Sequence, residues 1–228
     1  HHKEFPFTGG ILEDVEIYLY GRRETFWQQT LNDMSWEARV SGYTTTYNCI
    51  SQDYPFVQSI TSMLGFCSEV VVMDGGSTDG TVKIIKNFKD FKFYSLENIG
   101  KGEAIKYGIE KSKGDVVVFF PSDNEYNVDD IEKVITPVML NQSKAVYGSR
   151  MIKSILDDQL GRIYKNNKIT LMLSKYGGKL INLFILAFYS KSISDPFTSI
   201  KAFDAKLLKS LKLYKKGFDL DFEIFVKL

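Results

Sequence analysis

The chain has 228 residues, of which 44% are hydrophobic and 25% are charged, and its formal net charge is +1. A chain of this length and composition can bury one sizeable core and is within the single-domain range for a doubly wound α/β sheet. A net charge near zero argues against nucleic acid as a partner, because attraction to a phosphate backbone needs an excess of positive charge.

The predicted elements begin with an N-terminal arm, residues 1–38, for which the residues indicate no chemical role. Within this arm, EDVEIYLY alternates enough for a strand and ETFWQQTLNDM is typical of a short helix. His1 and His2 are the only histidines and look like the remnant of an expression tag, so histidine general-base chemistry is excluded.

From Arg39 onward, strands and helices alternate. Strands are predicted at VSGYTTTYN, EVVVMD, FKFYSLE, DVVVFF and AVYGSR, and the helices between them at PFVQSITSMLGF, TVKIIKNFKD, NIGKGEAIKYGIEKSKG and VDDIEKVITPVML. DVVVFF shows no alternation of apolar and polar residues, as expected of a central strand that is covered on both faces. This order predicts an α/β fold with a mostly parallel central sheet flanked by helices.

The pattern changes after Arg150. The stretch from Gly161 to Ser190 is apolar and basic with helical spacing, and a turn, a short strand and a helix follow in ISDPFTSIKAFDAKLLKSL. From Arg150 to Lys216 there are 14 Lys and Arg residues against 4 Asp and Glu residues. This excess is consistent with a solvated lysine-rich face or with a phosphate-bearing or membrane-surface partner. No apolar run reaches the roughly 18 residues of a membrane span.

The two cysteines, Cys49 and Cys67, lie beside apolar residues. Their spacing is not that of a disulfide framework or a zinc site. The sequence therefore predicts buried free thiols, as in a protein of a reducing compartment.

A polar turn, DGGSTDGT, follows the predicted strand EVVVMD. Asp74 ends this strand, and the two glycines after it allow the backbone to approach a ligand closely. The carboxylate can accept hydrogen bonds from a base or a ribose, or it can cap the next helix, which Ser77 and Asp79 can do without it. We therefore predict that Asp74 binds a ligand and that the helix starts at Ser77 or Thr78.

Two further acids, Asp123 and Glu125, follow the strand DVVVFF and alternate, so an extended turn points both the same way. Two carboxylates beside diphosphate oxygens suit Mg²⁺ or Mn²⁺, since such ions use few protein carboxylates. The competing interpretation is a solvated acidic loop. The turn NIGKG, with Lys101 and Gly102, can hold phosphate or sugar hydroxyls, but it lacks the spacing of a P-loop or of a dinucleotide-binding turn.

The order and spacing of these blocks resemble the family 2 glycosyltransferases of the GT-A fold, and most of all the dolichyl- or polyprenyl-phosphate sugar synthases. The resemblance runs from about Val40 to Leu228 and rests on TTTYN, DGGSTDGT, NIGKGEAIKYGI, GDVVVFFPSDNEY, YGSR, SDPFTSIKAF and GFDLDFE. It implies one GT-A domain over residues 39–228, with a nucleotide-sugar-binding half at 39–150 and an acceptor-side half at 151–228.

The resemblance also implies residue roles. Asp123 matches the last aspartate of the D-x-D metal motif and Glu125 a further metal-holding residue, so Mg²⁺ or Mn²⁺ is the expected cofactor. Arg150 matches the arginine of the G-[ST]-R block, and Asp195 matches the acid before the T-S-G-F-R-like turn; with Asp123, these are the expected catalytic residues. The nucleotide sugar is expected to contact Thr46, Tyr47, Asn48, Asp74, Lys101, Gly102, Ser122 and Asp123, and the acceptor phosphate Arg150, Arg162, Lys165 and Lys201.

Three positions depart from the family pattern. Pro121 occupies the place of the first D-x-D aspartate, which removes one carboxylate from the expected metal site. Lys201 replaces the usual arginine, and Cys49 stands where an acidic residue is common.

These features predict transfer of a sugar from a nucleotide diphosphate sugar to a polyprenyl phosphate, at the cytoplasmic face of a membrane. A lipid phosphate arrives ionised and needs no strong general base, which agrees with the missing histidine. A saccharide hydroxyl as acceptor would instead need a carboxylate base, for which Asp195 is the candidate. Pro121 leaves a non-catalytic sugar-nucleotide-binding module as an alternative. A nucleotidyltransferase ranks last, because no Gly-rich basic turn follows the first strand.

Overall fold

The structure is a computed structural model. It describes residues 15–16, 39–96, 100–123, 126–149, 183–189, 193, 195 and 198–228. Within these ranges seven strands form one sheet: β1 (Val15–Glu16), β2 (Val40–Thr46), β3 (Glu69–Asp74), β4 (Lys92–Ser95), β5 (Val116–Phe119), β6 (Ala145–Tyr147) and β7 (Lys201–Asp204).

Helices connect most of these strands. They are α1 (Phe56–Ser62), which continues into a 3-10 turn (Met63–Gly65), α2 (Thr81–Ile85), α3 (Gly100–Lys111), α4 (Asp130–Met139), α5 (Ala205–Ser210) and α6 (Leu220–Lys227). Residues 183–189 are also helical. Among the described residues, no helix is long and apolar enough to cross a membrane.

The strand order is β1-β6-β7-β5-β2-β3-β4. Neighbouring strands are parallel except at β7, which lies antiparallel between β5 and β6. The predicted mostly parallel sheet flanked by helices is therefore confirmed. The predicted strand in the N-terminal arm is also confirmed in part, because Val15 and Glu16 pair with Ala145 and Val146 at the edge of the sheet.

The core has one layer on each face of the sheet, and β5 shows why its sequence does not alternate. Val116 and Val118 pack into the layer that contains α1 and α4. Val117 and Phe119 pack into the layer that contains α3, α5 and α6. Because helices cover both faces, every residue of this strand is buried.

The helix after β3 starts later than predicted. It begins at Thr81, with Gly80 as N-cap at φ 95°, rather than at Ser77 or Thr78. Asp79 lies ahead of the helix, where its carboxylate accepts hydrogen bonds from the backbone N–H of Ser51 and from both the N–H and the hydroxyl of Thr81. These bonds hold the preceding residues in a loop.

The predicted free thiols are confirmed, since Cys49 and Cys67 are both buried and unpaired with each other. Burial raises the pKa of Cys67 to about 12. The helix predicted at 24–34 and most of the helical stretch predicted from 161 onward lie outside the described residues.

Candidate active site at the carboxyl edge of the sheet

Asp74 organises the turn that follows β3. Its carboxylate is fully buried and accepts hydrogen bonds from Gly76 N–H (3.2 Å), Ser77 N–H (2.9 Å), the Ser77 hydroxyl (2.5 Å) and the Thr46 hydroxyl (3.3 Å). Both oxygens are thus used inside the protein. The carboxylate therefore shapes the loop and links it to the end of β2, and the predicted contact of Asp74 with a ligand stays a prediction.

Asn48 ties the end of β2 to the same loop. Its backbone adopts a left-handed conformation (φ 46°), its N–H donates to the Ser77 hydroxyl at 2.8 Å, and its side-chain oxygen accepts from Thr78 N–H at 2.8 Å. Tyr47, the residue before it, is 56% exposed at this edge. An exposed aromatic ring beside a rigid loop can stack on a nucleoside base.

The residues after β5 are fixed to the same edge. The Ser122 hydroxyl donates to the Thr45 carbonyl at 3.0 Å, and the Ser59 hydroxyl donates to the Pro121 carbonyl at 2.8 Å. Ser122, which is predicted to contact the nucleotide sugar, is buried, and its hydroxyl is hydrogen-bonded to the end of β2. Asp123 follows as a partly exposed side chain. The anchored backbone therefore presents Asp123 at the same edge of the sheet as the loop that Asp74 organises.

Only one of the two predicted metal ligands, Asp123, is among the described residues. Glu125 lies outside the described residues, and Pro121 offers no carboxylate. Within the described part of the chain, no group of three or more His, Cys, Asp or Glu side chains is arranged to hold a metal ion. Of the two predicted metal ligands, Asp123 is the one that the described residues include, and its carboxylate is a hard oxygen ligand of the kind that Mg²⁺ and Mn²⁺ prefer.

Tyr126 connects the segment after Asp123 to the turn before β7. Its hydroxyl lies 3.1 Å from the Thr198 hydroxyl and accepts a hydrogen bond from Ser199 N–H at 3.2 Å. Thr198 is fully buried. This link was not predicted, because the two segments are far apart in the sequence.

Asp195 lies in this turn and is 7% exposed. Its carbonyl accepts from Thr198 N–H, and its charge acts on the nearby Lys201 ammonium. Burial leaves Asp195 little access to solvent in this conformation. Three further predicted cations, Arg150, Arg162 and Lys165, lie outside the described residues.

Lys201 and Lys101 share one carboxylate. Lys201 Nζ is 2.6 Å from Asp221 Oδ1, and Lys101 Nζ is 3.5 Å from Asp221 Oδ2. Burial alone raises the pKa of Asp221, but the two ammonium groups outweigh it and hold the pKa below its ordinary value. The Lys201 side chain is 2% exposed and its ammonium pairs with Asp221, and its predicted contact with the acceptor phosphate stays a prediction.

Gly102 lets another part of the backbone cross the first turn of α3. Its N–H donates to the Lys216 carbonyl at 2.9 Å, and a Cβ at this position would lie 2.5 Å from the Lys216 carbonyl carbon. The N–H of Gly102 is therefore engaged by the protein's own chain, and the predicted contact of this turn with phosphate or sugar hydroxyls stays a prediction. Glycine is needed at this position because the backbone at Lys216 approaches it closely.

Comparisons with known proteins find related glycosyltransferases. A UDP-N-acetylglucosamine–dolichyl-phosphate N-acetylglucosaminyltransferase of Methanococcus voltae is 28% identical over 162 residues, which are 62% of this chain and 61% of that protein. An uncharacterized glycosyltransferase of Haemophilus influenzae is 28% identical over 127 residues, 54% of this chain and 46% of its own length. The chain thus spans about half to three fifths of the length of these relatives.

A solved structure shows the same fold. The crystal structure of glucosyl-3-phosphoglycerate synthase from Mycobacterium tuberculosis, in complex with Mn²⁺, UDP-glucose and phosphoglyceric acid, superposes with a TM-score of 0.63 at 17% identity and covers 93% of this chain and 71% of that chain. This likeness confirms the predicted GT-A fold. Residues 43–197, more than half of the chain, match the model of Glycosyl transferase family 2, and the protein belongs to that family.

Proposed function

We propose that the protein transfers a sugar from a nucleotide diphosphate sugar to a polyprenyl phosphate. The observation that carries the proposal is the joining of three segments at one sheet edge: the loop organised by Asp74, the residues that present Asp123, and the turn before β7. A donor bound at the first segment would extend its diphosphate toward the second. The third would then face the acceptor.

The donor-side loop suits a nucleoside. Tyr47 offers an exposed ring, and the bonds of Asn48 to Ser77 and Thr78 make the surrounding backbone rigid before a ligand arrives. A preorganised site loses less conformational entropy on binding. The relative from Methanococcus voltae, whose name specifies a UDP-sugar donor, supports a nucleotide sugar here as well.

The chemistry at Asp123 fits a divalent ion. Asp123 is partly exposed on an anchored backbone, and it would hold Mg²⁺ or Mn²⁺ together with Glu125. Such an ion would offset the negative charge that develops on the departing nucleoside diphosphate.

A lipid phosphate is the acceptor that these residues support best. It is already ionised, so no exposed general base is required, and Asp195 is almost buried. Relatives named for dolichyl phosphate as acceptor occur in Methanococcus voltae and Trichomonas vaginalis. Residues 183–189 expose Leu183, Phe184, Leu186 and Phe188 by 45% to 70%, which suits contact with a bilayer surface at the cytoplasmic face of a membrane.

The proposal is tested first by a donor screen. Thermal unfolding is measured with UDP, GDP, CDP and dTDP sugars, with and without Mn²⁺, because a ligand that binds only the folded protein raises its stability. The stabilising donor is then incubated with geranyl phosphate in detergent. We expect a lipid-linked sugar, and donor binding without transfer to any acceptor would contradict the proposal.

Asp123→Ala isolates the metal contribution. We expect it to abolish the part of donor binding that depends on Mn²⁺, while leaving the melting temperature of the free protein nearly unchanged. Asp129→Ala removes an exposed carboxylate a few residues later and is the matched control. Equal loss in both variants would point to general charge rather than to a metal ligand.

A saccharide hydroxyl remains the second candidate acceptor, because Asp195 lies in the acceptor-side turn, where its carbonyl accepts from Thr198 N–H. Asp195→Asn should then abolish transfer to a sugar acceptor while donor binding is kept. Unchanged transfer in this variant would reject Asp195 as a base.

A further inference from the structure

Lys201 is the only lysine among the buried side chains of the described chain. Its ammonium lies 2.6 Å from Asp221 and 5.5 Å from the centre of the Tyr147 ring. Burial lowers the pKa of Lys201, and the charge and hydrogen bond of Asp221 oppose that effect. An apolar pair of similar size would fill such a position at a smaller cost of desolvation, so stability alone does not explain the charges.

The pair lies at the edge that the proposed substrates use. Lys201 is the first residue of β7 and is aligned with Phe119, the last residue of β5, four positions before Asp123. Lys101, in the first turn of α3, reaches the same Asp221 from the donor side. One carboxylate therefore joins a cation of the acceptor half to a cation of the donor half.

The charges of the three side chains decide what they can do. Lys101, Asp221 and Lys201 carry a net charge of one positive unit, and Lys101 is the exposed member, with 36% of its side chain accessible. Without Lys201, Asp221 would cancel the charge of Lys101. With Lys201, the Lys101 ammonium keeps a surplus charge that a phosphate can use.

Two tyrosines and one further carboxylate also lie close to the pair. The hydroxyls of Tyr43 and Tyr147 are buried and have no hydrogen-bond partner among the described residues. Burial, and then the charge of Asp221, raise the pKa of both phenols, which therefore stay neutral. Asp195 adds one negative charge near Lys201, which offsets the formal surplus of the three side chains but leaves Lys101 as their exposed cation.

The direction of Lys101 is also restricted by its surroundings. Its ammonium lies 5.0 Å from the centre of the Phe218 ring, and the Lys216 carbonyl holds the N–H of the next residue, Gly102. Asp221 fixes the remaining freedom of the long side chain. A lysine held in this way loses less conformational entropy when it binds an anion.

We propose that Asp221 is a positioning residue that directs the Lys101 ammonium to a substrate phosphate, with buried Lys201 balancing the charge of Asp221. The inference rests on the proposed function, in that the phosphate belongs to the donor diphosphate or to the acceptor. Lys201 accordingly acts through Asp221 and does not touch the substrate.

The test removes the buried pair without changing net charge. Asp221→Asn alone would leave Lys201 buried and unpaired and can fail to fold, so Asp221→Asn is combined with Lys201→Met. Asp219→Asn with Lys215→Met is the matched control, because it removes an exposed pair, 3.6 Å apart, two residues before Asp221. Lys101→Met removes the ammonium itself.

Binding is measured by isothermal titration calorimetry, with UDP, GDP, CDP and dTDP as donor-side probes and geranyl phosphate as the acceptor-side probe. We expect Lys101→Met and the buried-pair variant each to weaken binding about tenfold, the loss of one charge-assisted hydrogen bond. The combined triple variant should be no weaker than either, because both changes remove the same contact. The probe whose binding weakens shows whether the Lys101 ammonium contacts the donor diphosphate or the acceptor phosphate.

Three results would overturn the inference: wild-type affinity in the buried-pair variant, additive losses in the triple variant, or an equal loss in the exposed-pair control. A wild-type protein that binds none of the five probes would overturn it as well. Nucleotide binding that depends on Asp221 and Lys101, but without transfer to any acceptor, would support the inference and contradict the proposed function alone.

Discussion

The Tyr126 hydroxyl lies 3.1 Å from the Thr198 hydroxyl, across 72 positions of sequence. It connects the segment after Asp123 to the turn that carries Asp195, while its ring packs against the core layer of α1 and α4. The ring and the hydroxyl thus have separable tasks: the ring stabilises the fold, and the hydroxyl sets the distance between the two sides of the site.

Tyr126→Phe separates these tasks. We expect the free energy of unfolding to fall by only about 1 kcal/mol, the net value of a lost hydrogen bond. Glycosyl transfer should slow by about tenfold or more, because small displacements of positioning groups are costly in catalysis. Steady-state kinetics and urea unfolding check both. Tyr214→Phe, at a tyrosine that is 70% exposed, is the control, and an equal loss of activity there would reject the positioning role.

Pro121→Asp should strengthen metal binding. The change adds a carboxylate two residues before Asp123 to the proposed pair of Asp123 and Glu125, and the backbone carbonyl that Ser59 binds is retained. We expect the Mn²⁺ concentration for half-maximal activity to fall by about tenfold, since ligand charge tunes the affinity of such sites. Pro121→Asn gives the same backbone freedom without charge. Transfer activity in the Asp variant alone, with none in the wild type, would favour the non-catalytic module.

Gly102→Ala should destabilise the protein. A Cβ would lie 2.5 Å from the carbonyl carbon and 2.7 Å from the carbonyl oxygen of Lys216, so one of the two backbone segments must move. We expect a loss of about 1–3 kcal/mol in urea unfolding, as is typical of overpacking. Gly65→Ala, where no atom lies within 4 Å of the new Cβ, should be neutral. Equal free energies of unfolding for Gly102→Ala and the wild type would mean that the two backbone segments can move apart at little cost.

Glu69→Gln should change how stability depends on pH. Glu69 accepts hydrogen bonds from the Ser41 hydroxyl and Lys113 N–H and pairs with Lys92. Burial acts to raise the pKa of Glu69, but Lys92 and the hydrogen-bond donors outweigh it, so the pKa is below its ordinary value of 4.5. A carboxyl whose folded pKa is depressed stabilises the protein above the unfolded pKa, and this contribution is lost as the pH falls through the folded pKa.

The variant should therefore be less stable than the wild type by about 1–3 kcal/mol near neutral pH. The difference should shrink below about pH 4.5, as the wild-type carboxyl becomes protonated. Urea unfolding across this range measures it. Glu110→Gln, at a side chain that is 71% exposed, should show no such trend. A constant difference at all pH values would mean that the charge of Glu69 is not what stabilises the sheet.

The sequence predicted elements well where local pattern and burial agree. The run VVVFF after Asp115 is uniformly apolar because helices cover β5 on both faces, and the position of β5 as a central strand followed from that pattern. The position of β7 could not be predicted in the same way. A short strand in SIKAF carries no local signal that it inserts between β5 and β6 and runs antiparallel to both.

The candidate site was predictable in outline but not in its contacts. The way in which Asp74 holds its own loop could not be predicted, because the sequence does not reveal that Thr46, on the neighbouring strand, donates a hydrogen bond to it. The ion pair of Lys201, in β7, could not be predicted because its partner, Asp221, follows 20 positions later in α6. Asp221 lies in the block GFDLDFE, whose spacing indicated the family but gave no role to this acid.

The insertion of β7 has a consequence for synthesis of the chain. β5 and β6 are complete by residue 147, yet both depend on a strand that ends at residue 204 to satisfy their facing backbone groups. While a ribosome translates the interval, those two edges stay open to pairing with other chains. A ribosome stalled in that interval should therefore carry an aggregation-prone nascent polypeptide.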